Sequence, residues 1–282
     1  MVRGTQENLE NALQHGSVKL IEGDICDKAL MDKLLSGCDL LVHLAALRIT
    51  HCAAEPELAV KVMADATYDL LELCIRYKVP RVVAASSASI YGMAEQFPTP
   101  ETHHPYNNCT LYGACKLFNE ALLRSFADTH KLSYVATRYF NVYGPRMDMH
   151  GKYTEVMIRW MENIDKGLPP VIFGDGMQTM DFVHVKDVAR ANVLAAESAV
   201  EDEVFNIGSG TETSLKQLAE LLCAIMGRSD LKPEHQPARA VNPVARRLAD
   251  CRKARDMLGF SPEISLEDGL RELVSWWRGQ KS

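Results

Sequence analysis

Val82-Val83-Ala84-Ala85-Ser86-Ser87-Ala88-Ser89-Ile90-Tyr91-Gly92 decides the fold. Four apolar residues run into a turn of small ones, the pattern of a strand covered on both faces, as in a parallel sheet. Downstream, Leu111-Tyr112-Gly113-Ala114-Cys115-Lys116 opens a helical stretch expected to continue to about Asp128. A spacing of four places the Tyr112 phenol and the Lys116 ammonium on one helix face, a turn apart. With a strand-end hydroxyl at Ser87, this is the minimum set for taking a proton from an alcohol while a hydride leaves the same carbon. Free tyrosine ionises near pH ~10, so poising it near neutrality takes about 4 kcal/mol. One cation roughly 4 Å away, at an effective dielectric of about 20, supplies on the order of 4 kcal/mol. The expectation is a phenol kept acidic by Lys116.

Working outward, strands alternate with helices, which implies an α/β fold with a doubly wound parallel sheet and helices on both faces. Strands are expected at 18–22, 40–45, 132–138, 171–173 and 204–207, besides the one ending at Ser86. Helices are expected at 28–36, 57–77, 155–166, 185–198 and 266–278. Gly167-Leu168-Pro169-Pro170 is a strong breaker before the strand at Val171. Residues 1–146 read as a dinucleotide-binding unit. Residues 147–282 read mainly as a substrate lobe, with 181–208 returning to the sheet. Trp276 and Trp277 on the last helix read as packing residues.

The chain has 282 residues, 47% of them hydrophobic, enough for a large core. A net charge of −6 with no basic run argues against nucleic acid or an anionic membrane surface as partner. No apolar run approaches a membrane span. Eight cysteines sit at irregular spacings with no metal-ligand pattern and no export signal before them. Reduced thiols, a cytoplasmic location and no metal are therefore expected.

Three further segments carry a resemblance: Leu41-Val42-His43-Leu44-Ala45-Ala46, Thr137-Arg138-Tyr139-Phe140-Asn141-Val142-Tyr143-Gly144-Pro145-Arg146 and Asp181-Phe182-Val183-His184-Val185-Lys186-Asp187-Val188. With Ser87, Tyr112 and Lys116 they resemble the extended short-chain dehydrogenase/reductases, in particular nucleotide-sugar epimerases of the UDP-glucose 4-epimerase kind. The likeness covers nearly the whole chain in order and spacing. It implies that Ser87 is the catalytic hydroxyl, Tyr112 the base and Lys116 the ribose-binding cation. It implies NAD as cofactor, contacted by Asp24, Ile25, Leu44, Ala45, Ala46, Arg48, Ala85, Ser86, Tyr112, Lys116, Tyr139, Asn141 and Val142. A nucleotide-diphosphate sugar, a UDP-hexose, would meet Ser87, Ser89, Tyr112, Asn141 and Arg247. The resemblance also implies a homodimer through helices 57–77 and 112–128. Without it, Gly23-Asp24 is a turn, Ala45-Ala46 a buried small pair, His43 a satisfied core histidine, Arg48 a solvated cation and Asn141 a loop tie.

The sequence departs from that family in three places. No Gly-x-x-Gly-x-x-Gly lies near the start, so the resemblance implies that a first strand-helix-strand unit of roughly forty residues is missing. Strand 18–22 would then lack both neighbours, and strand 40–45 would expose an apolar edge. Met180 stands where relatives carry a phosphate-binding arginine, leaving Arg239, Arg246 and Arg247 as replacements, of which Arg247 is preferred. Arg239-Ala240-Val241-Asn242-Pro243 replaces an Arg-x-Gly-Asp pattern, and Met63 replaces a common asparagine.

Dehydratases in the family carry Thr-Asp-Glu at the catalytic hydroxyl, whereas Ala88 and Ser89 follow Ser87 here and cannot move those protons at neutral pH. The expected reaction is epimerisation at C4 through a 4-keto sugar. A reductase or decarboxylase with the same three groups is the alternative enzyme. A catalytically inactive chain that only binds a ligand or partner is the alternative from another class.

Overall fold

The strand β2 (Arg81–Ser87) sits between two parallel neighbours and fixes the rest. The computed structural model of the protein describes residues 4–149, 155–237 and 244–281. The other strands among them are β1 (Leu41–His43), β3 (Ser133–Tyr139), β4 (Asn141–Tyr143), β5 (Val171–Phe173), β6 (Thr179–His184), β7 (Glu203–Ile207), β8 (Glu212–Ser214) and β9 (Glu234–Gln236). The main sheet is parallel, in the order β1-β2-β3-β7.

Strand alternation assigns its two faces. Val82 and Ala84 join Tyr134 and Ala136 against Leu123 and Phe126 of the Leu111–His130 helix. Val83 joins Val135, Phe205 and Ile207 against Val188, Ala191 and Ala195 of the Val185–Glu197 helix. Burying each large apolar side chain contributes about 1.5–3 kcal/mol, so both faces of this sheet stabilise it.

The Leu111–His130 helix starts where the Thr110 side chain accepts from the Gly113 amide at 3.1 Å. A Cβ on Gly113 would lie 2.6 Å from the Ser89 carbonyl oxygen, so glycine lets the helix start approach the turn after β2. Before it, Pro56–Val60 and Ala66–Tyr77 form one helical run joined by a π-helical turn, Lys61–Asp65.

The expected strand at 18–22 does not form. Val18 and Ile21 are exposed, and no described strand flanks β1 on the side away from β2. An extended segment with no hydrogen-bonding neighbour gains nothing from strand geometry.

The second lobe packs Trp160, Ile158, Leu222, Leu273 and Trp277 into one cluster, with Trp276 against it. Both tryptophans of the last helix are thus packing residues. A small sheet, β4-β6-β8, and the pair β5-β9 belong to this part of the chain. Bridges Thr99↔Ala249 and Thr179↔Arg246 stitch the returning C-terminal segment to the loop after β2 and to β6. Arg239 and its neighbours through Pro243 lie outside the described residues.

Candidate active site

Tyr112, Lys116 and Glu120 form one stripe along the Leu111–His130 helix, facing the end of β2. Ser87 ends that strand, and its hydroxyl oxygen accepts from the Ser89 amide at 3.1 Å. The same hydroxyl is near enough to the Tyr112 phenol to lower it. Lys116 Nζ donates to the Ala85 carbonyl at 2.6 Å and lies 5.9 Å from the Tyr112 ring centroid. Ser87, Tyr112 and Lys116, far apart in sequence, are brought together at the carboxyl end of the sheet.

The electrostatics differ from the expectation of an acidic phenol. Burial pushes Tyr112 above its ordinary value, outweighing the lowering by the nearby Ser87 hydroxyl and by the charge of Arg247. Lys116, 3% exposed, is itself pushed down to about 8 by burial, with Glu120 opposing the shift. Its ammonium is tied to a carbonyl and sits by the ring, so desolvation of the phenol dominates. A further cation or hydrogen-bond donor at the phenol is needed to bring it near neutrality.

Beneath the triad lies a buried polar network that the sequence reading missed. Arg138 forks onto Glu120, Nε to Oε1 at 2.9 Å and Nη2 to Oε2 at 2.6 Å. Arg138 Nη1 donates to the Tyr91 hydroxyl at 2.8 Å, and Tyr91 donates to Asn206 Oδ1 at 2.7 Å. Ser86 donates to Glu120 and faces this network. The available signal was the spacing 112, 116, 120, which puts a carboxylate one turn beyond the lysine.

The other expected site residues are placed as follows. Asp24 is exposed and accepts from the Cys26 amide at 2.9 Å, a turn that also lowers its carboxyl below the usual range; Ile25 is half-buried beside it. Leu44 and Ala46 are exposed and Ala45 half-buried just beyond β1. His43 is a satisfied core histidine: Nε2 lies 3.0 Å from Thr67 Oγ1, and burial lowers it to about 4. Arg48 is no solvated cation; it pairs with Glu155 at 3.1 Å. Tyr139 donates its hydroxyl to Asn192 at 2.7 Å. Asn141 donates to the Asp181 carbonyl at 3.1 Å, tying β4 to β6 through its side chain, and Val142 is exposed between them. Ala88 and Ser89 are buried in the turn after Ser87. Arg247 is half-buried, and its charge acts on the Tyr112 phenol.

A dinucleotide fits the nicotinamide-ribose end of this arrangement. An ammonium has three donors, and Lys116 uses one of them on the Ala85 carbonyl. Two donors remain for a ribose diol in a place where burial makes unused donors costly. Among the described residues no cluster of side chains could hold a metal ion, and no helix is long and apolar enough to cross a membrane.

Residues 2–208 match the model of the NAD dependent epimerase/dehydratase family. A putative UDP-glucose 4-epimerase of Methanocaldococcus jannaschii is 32% identical over 92% of this chain and 84% of its own length. A dTDP-glucose 4,6-dehydratase of Streptomyces niveus is 31% identical over 99% of this chain and 82% of its own. The crystal structure of UDP-glucose 4-epimerase with UDP-glucose from Thermotoga maritima superposes with a TM-score of 0.89 at 34% identity, covering 98% of this chain and 95% of that one. Extent, identity and architecture agree: the chain belongs to the NAD-dependent epimerase/dehydratase family, enzymes of nucleotide sugars whose cofactor is NAD.

Proposed function

We propose that the protein epimerises a nucleotide-diphosphate sugar, a UDP-hexose, at C4 through a 4-keto intermediate. The observation that carries this reading is the gathering of Ser87, Tyr112 and Lys116 at the end of β2, followed by Ala88 and Ser89 in place of a dehydratase acid and base. NAD, when bound, would supply the hydride acceptor and donor at C4. Ser87 holds the reacting hydroxyl, and Tyr112 takes its proton as general base. Lys116, with two donors left after Ala85, binds the ribose and brings positive charge to the phenol. Returning the proton from Tyr112 after the keto sugar has turned over gives the C4 epimer. Elimination of water would need a second acid and base next to Ser87, and the buried Ala88 and Ser89 supply neither.

The test incubates the protein with NAD and a panel of UDP-sugars and reads the C4 epimer by chromatography. Tyr112→Phe is expected to lower turnover by about 100-fold or more, the usual contribution of a positioned acid or base. Its thermal melt should superimpose on that of the wild type. Unchanged turnover would remove Tyr112 from the mechanism.

A further inference from the structure

A cavity of about 10 Å³ lies where β2 meets the Ala66–Tyr77 and Leu111–His130 helices. Six polar residues line it, His43, Thr67, Ser86, Lys116, Asn119 and Glu120, and the other lining side chains are apolar. Hydrogen bonds account for four of the six. Thr67 spends its one proton on the Met63 carbonyl at 2.8 Å, so in the 3.0 Å contact to His43 it is Nε2–H that donates to the Thr67 hydroxyl. Ser86 spends its proton on Glu120, and Arg138 forks onto the same carboxylate. Two residues are left short. Lys116 uses one donor of its three, on the Ala85 carbonyl at 2.6 Å. Asn119 is 8% exposed, and its side-chain oxygen accepts no hydrogen bond among the described residues.

A buried amide oxygen without a partner is costly, and so are unused ammonium donors. Asn119 and Lys116 are three apart on one helix, so both reach the cavity from the same side. The Asn119 oxygen is not bonded to Lys116 directly, so whatever joins them has to accept from one and donate to the other. A water does both, and a cavity of this size holds one. We propose that the cavity is a one-water site and that Asn119 is a positioning residue: the water accepts from Lys116 Nζ, donates to Asn119 Oδ1 and so fixes the ammonium beside the phenol. The remaining Lys116 donor stays for the ribose. The role of Asn119, though not the water itself, rests on the reading of Ser87, Tyr112 and Lys116 as the reacting set. Asn119 carries no charge, so replacing it leaves every titratable neighbour of Lys116 in place. These are Tyr112, Cys115 and Glu120 on the same helix, Cys52 on the Ile49–Ala54 helix and His43 on β1.

Two measurements test this. A high-resolution crystal structure of the protein is expected to show one ordered water within hydrogen-bond distance of both Asn119 and Lys116, and Asn119→Leu should lack it. A cavity without water, or a water that meets only one of the two, would overturn the proposal whether or not the protein turns over a sugar. The second measurement is the pH profile of turnover. Losing a bond that favours the ammonium lets its proton leave at lower pH. The basic limb of Asn119→Leu should therefore lie about one pH unit below that of wild type, the size of one hydrogen bond to a charged group. Asn119→Ser keeps a hydroxyl and makes room for a second water, so it should return the limb most of the way, giving a second folded comparison. A limb unmoved in Asn119→Leu would overturn the positioning role and leave the Ser87–Tyr112–Lys116 reading standing. Absence of turnover in wild type would overturn that reading and the positioning role with it, and the crystal would still decide the water.

Discussion

Lys116 is a buried base whose charge the site needs and the fold resists. Its ordinary value is 10.5, and in the folded chain it stands at about 8. Between about 8 and 10.5 the unfolded chain still holds a proton that the fold has released, so stability rises as pH climbs through that window. Below about 8 both states are protonated and the burial cost is present in full, on the order of 3 kcal/mol for a shift of this size. Urea unfolding of wild type and Lys116→Met across this range should show a steeper rise in stability for wild type. Parallel curves would mean that Lys116 titrates normally. Turnover should fall over the same interval, because the cation disappears from beside the phenol. The Tyr112-to-Lys116 spacing was legible in the sequence because four residues are one helical turn. The raised phenol was not, because its burial depends on packing against the cluster of Cys52, Ala59 and Met63, which lie far away in the chain.

At the scale of elements, the Glu120–Arg138 fork joins the Leu111–His130 helix to β3, and Ser86 brings in β2. Both side chains are about 10% exposed or less, so neither charge has water to fall back on. Glu120→Ala leaves Arg138 buried with only neutral partners, Tyr91 and the Glu101 carbonyl. Removing one member of such a pair costs about 3–5 kcal/mol, which should appear as a lower urea midpoint at unchanged slope. A loss under about 1 kcal/mol would show that the fork contributes little, as surface pairs do. Strands and helices of the main sheet were legible because apolar runs and breakers are local signals. The segment 18–22 carried the same local signal and failed, since a strand exists only through its neighbours. The π-helical turn at Lys61–Asp65 had no sequence mark at all, for one extra residue in a turn leaves the apolar stripe nearly unchanged.

Across the whole molecule, one carboxylate holds the second lobe to the main sheet. Asp181 in β6 is fully buried and accepts from the Ser209 amide and hydroxyl at 2.6 and 2.7 Å, and from the Gly210 and Ala249 amides at 3.0 Å. Ser209 and Gly210 follow β7 of the main sheet, and Ala249 lies two residues beyond Arg247. A Cβ on Gly208 would come within 2.8 Å of an Asp181 oxygen, so the chain runs as close to the carboxylate as glycine permits. The motif Asp181-Phe182-Val183 was visible in the sequence, but its partners were not, because they arrive from two later segments. Asp181→Asn keeps the shape and replaces one acceptor oxygen by an amide that faces N–H donors. Each charge-assisted bond lost costs about 1.5–3 kcal/mol, and two are lost or inverted. At roughly 2–4 °C per kcal/mol for a chain of this size, the thermal midpoint at pH 7.5 should fall by about 10 °C. Because the same carboxylate fixes the backbone that carries Arg247, UDP-sugar affinity should fall well below the melting range as well. An Asp181→Asn protein that melts like wild type would show that apolar packing alone joins the lobes; one that melts early yet binds normally would show that Arg247 is positioned by Thr179 and Thr99 without this clamp.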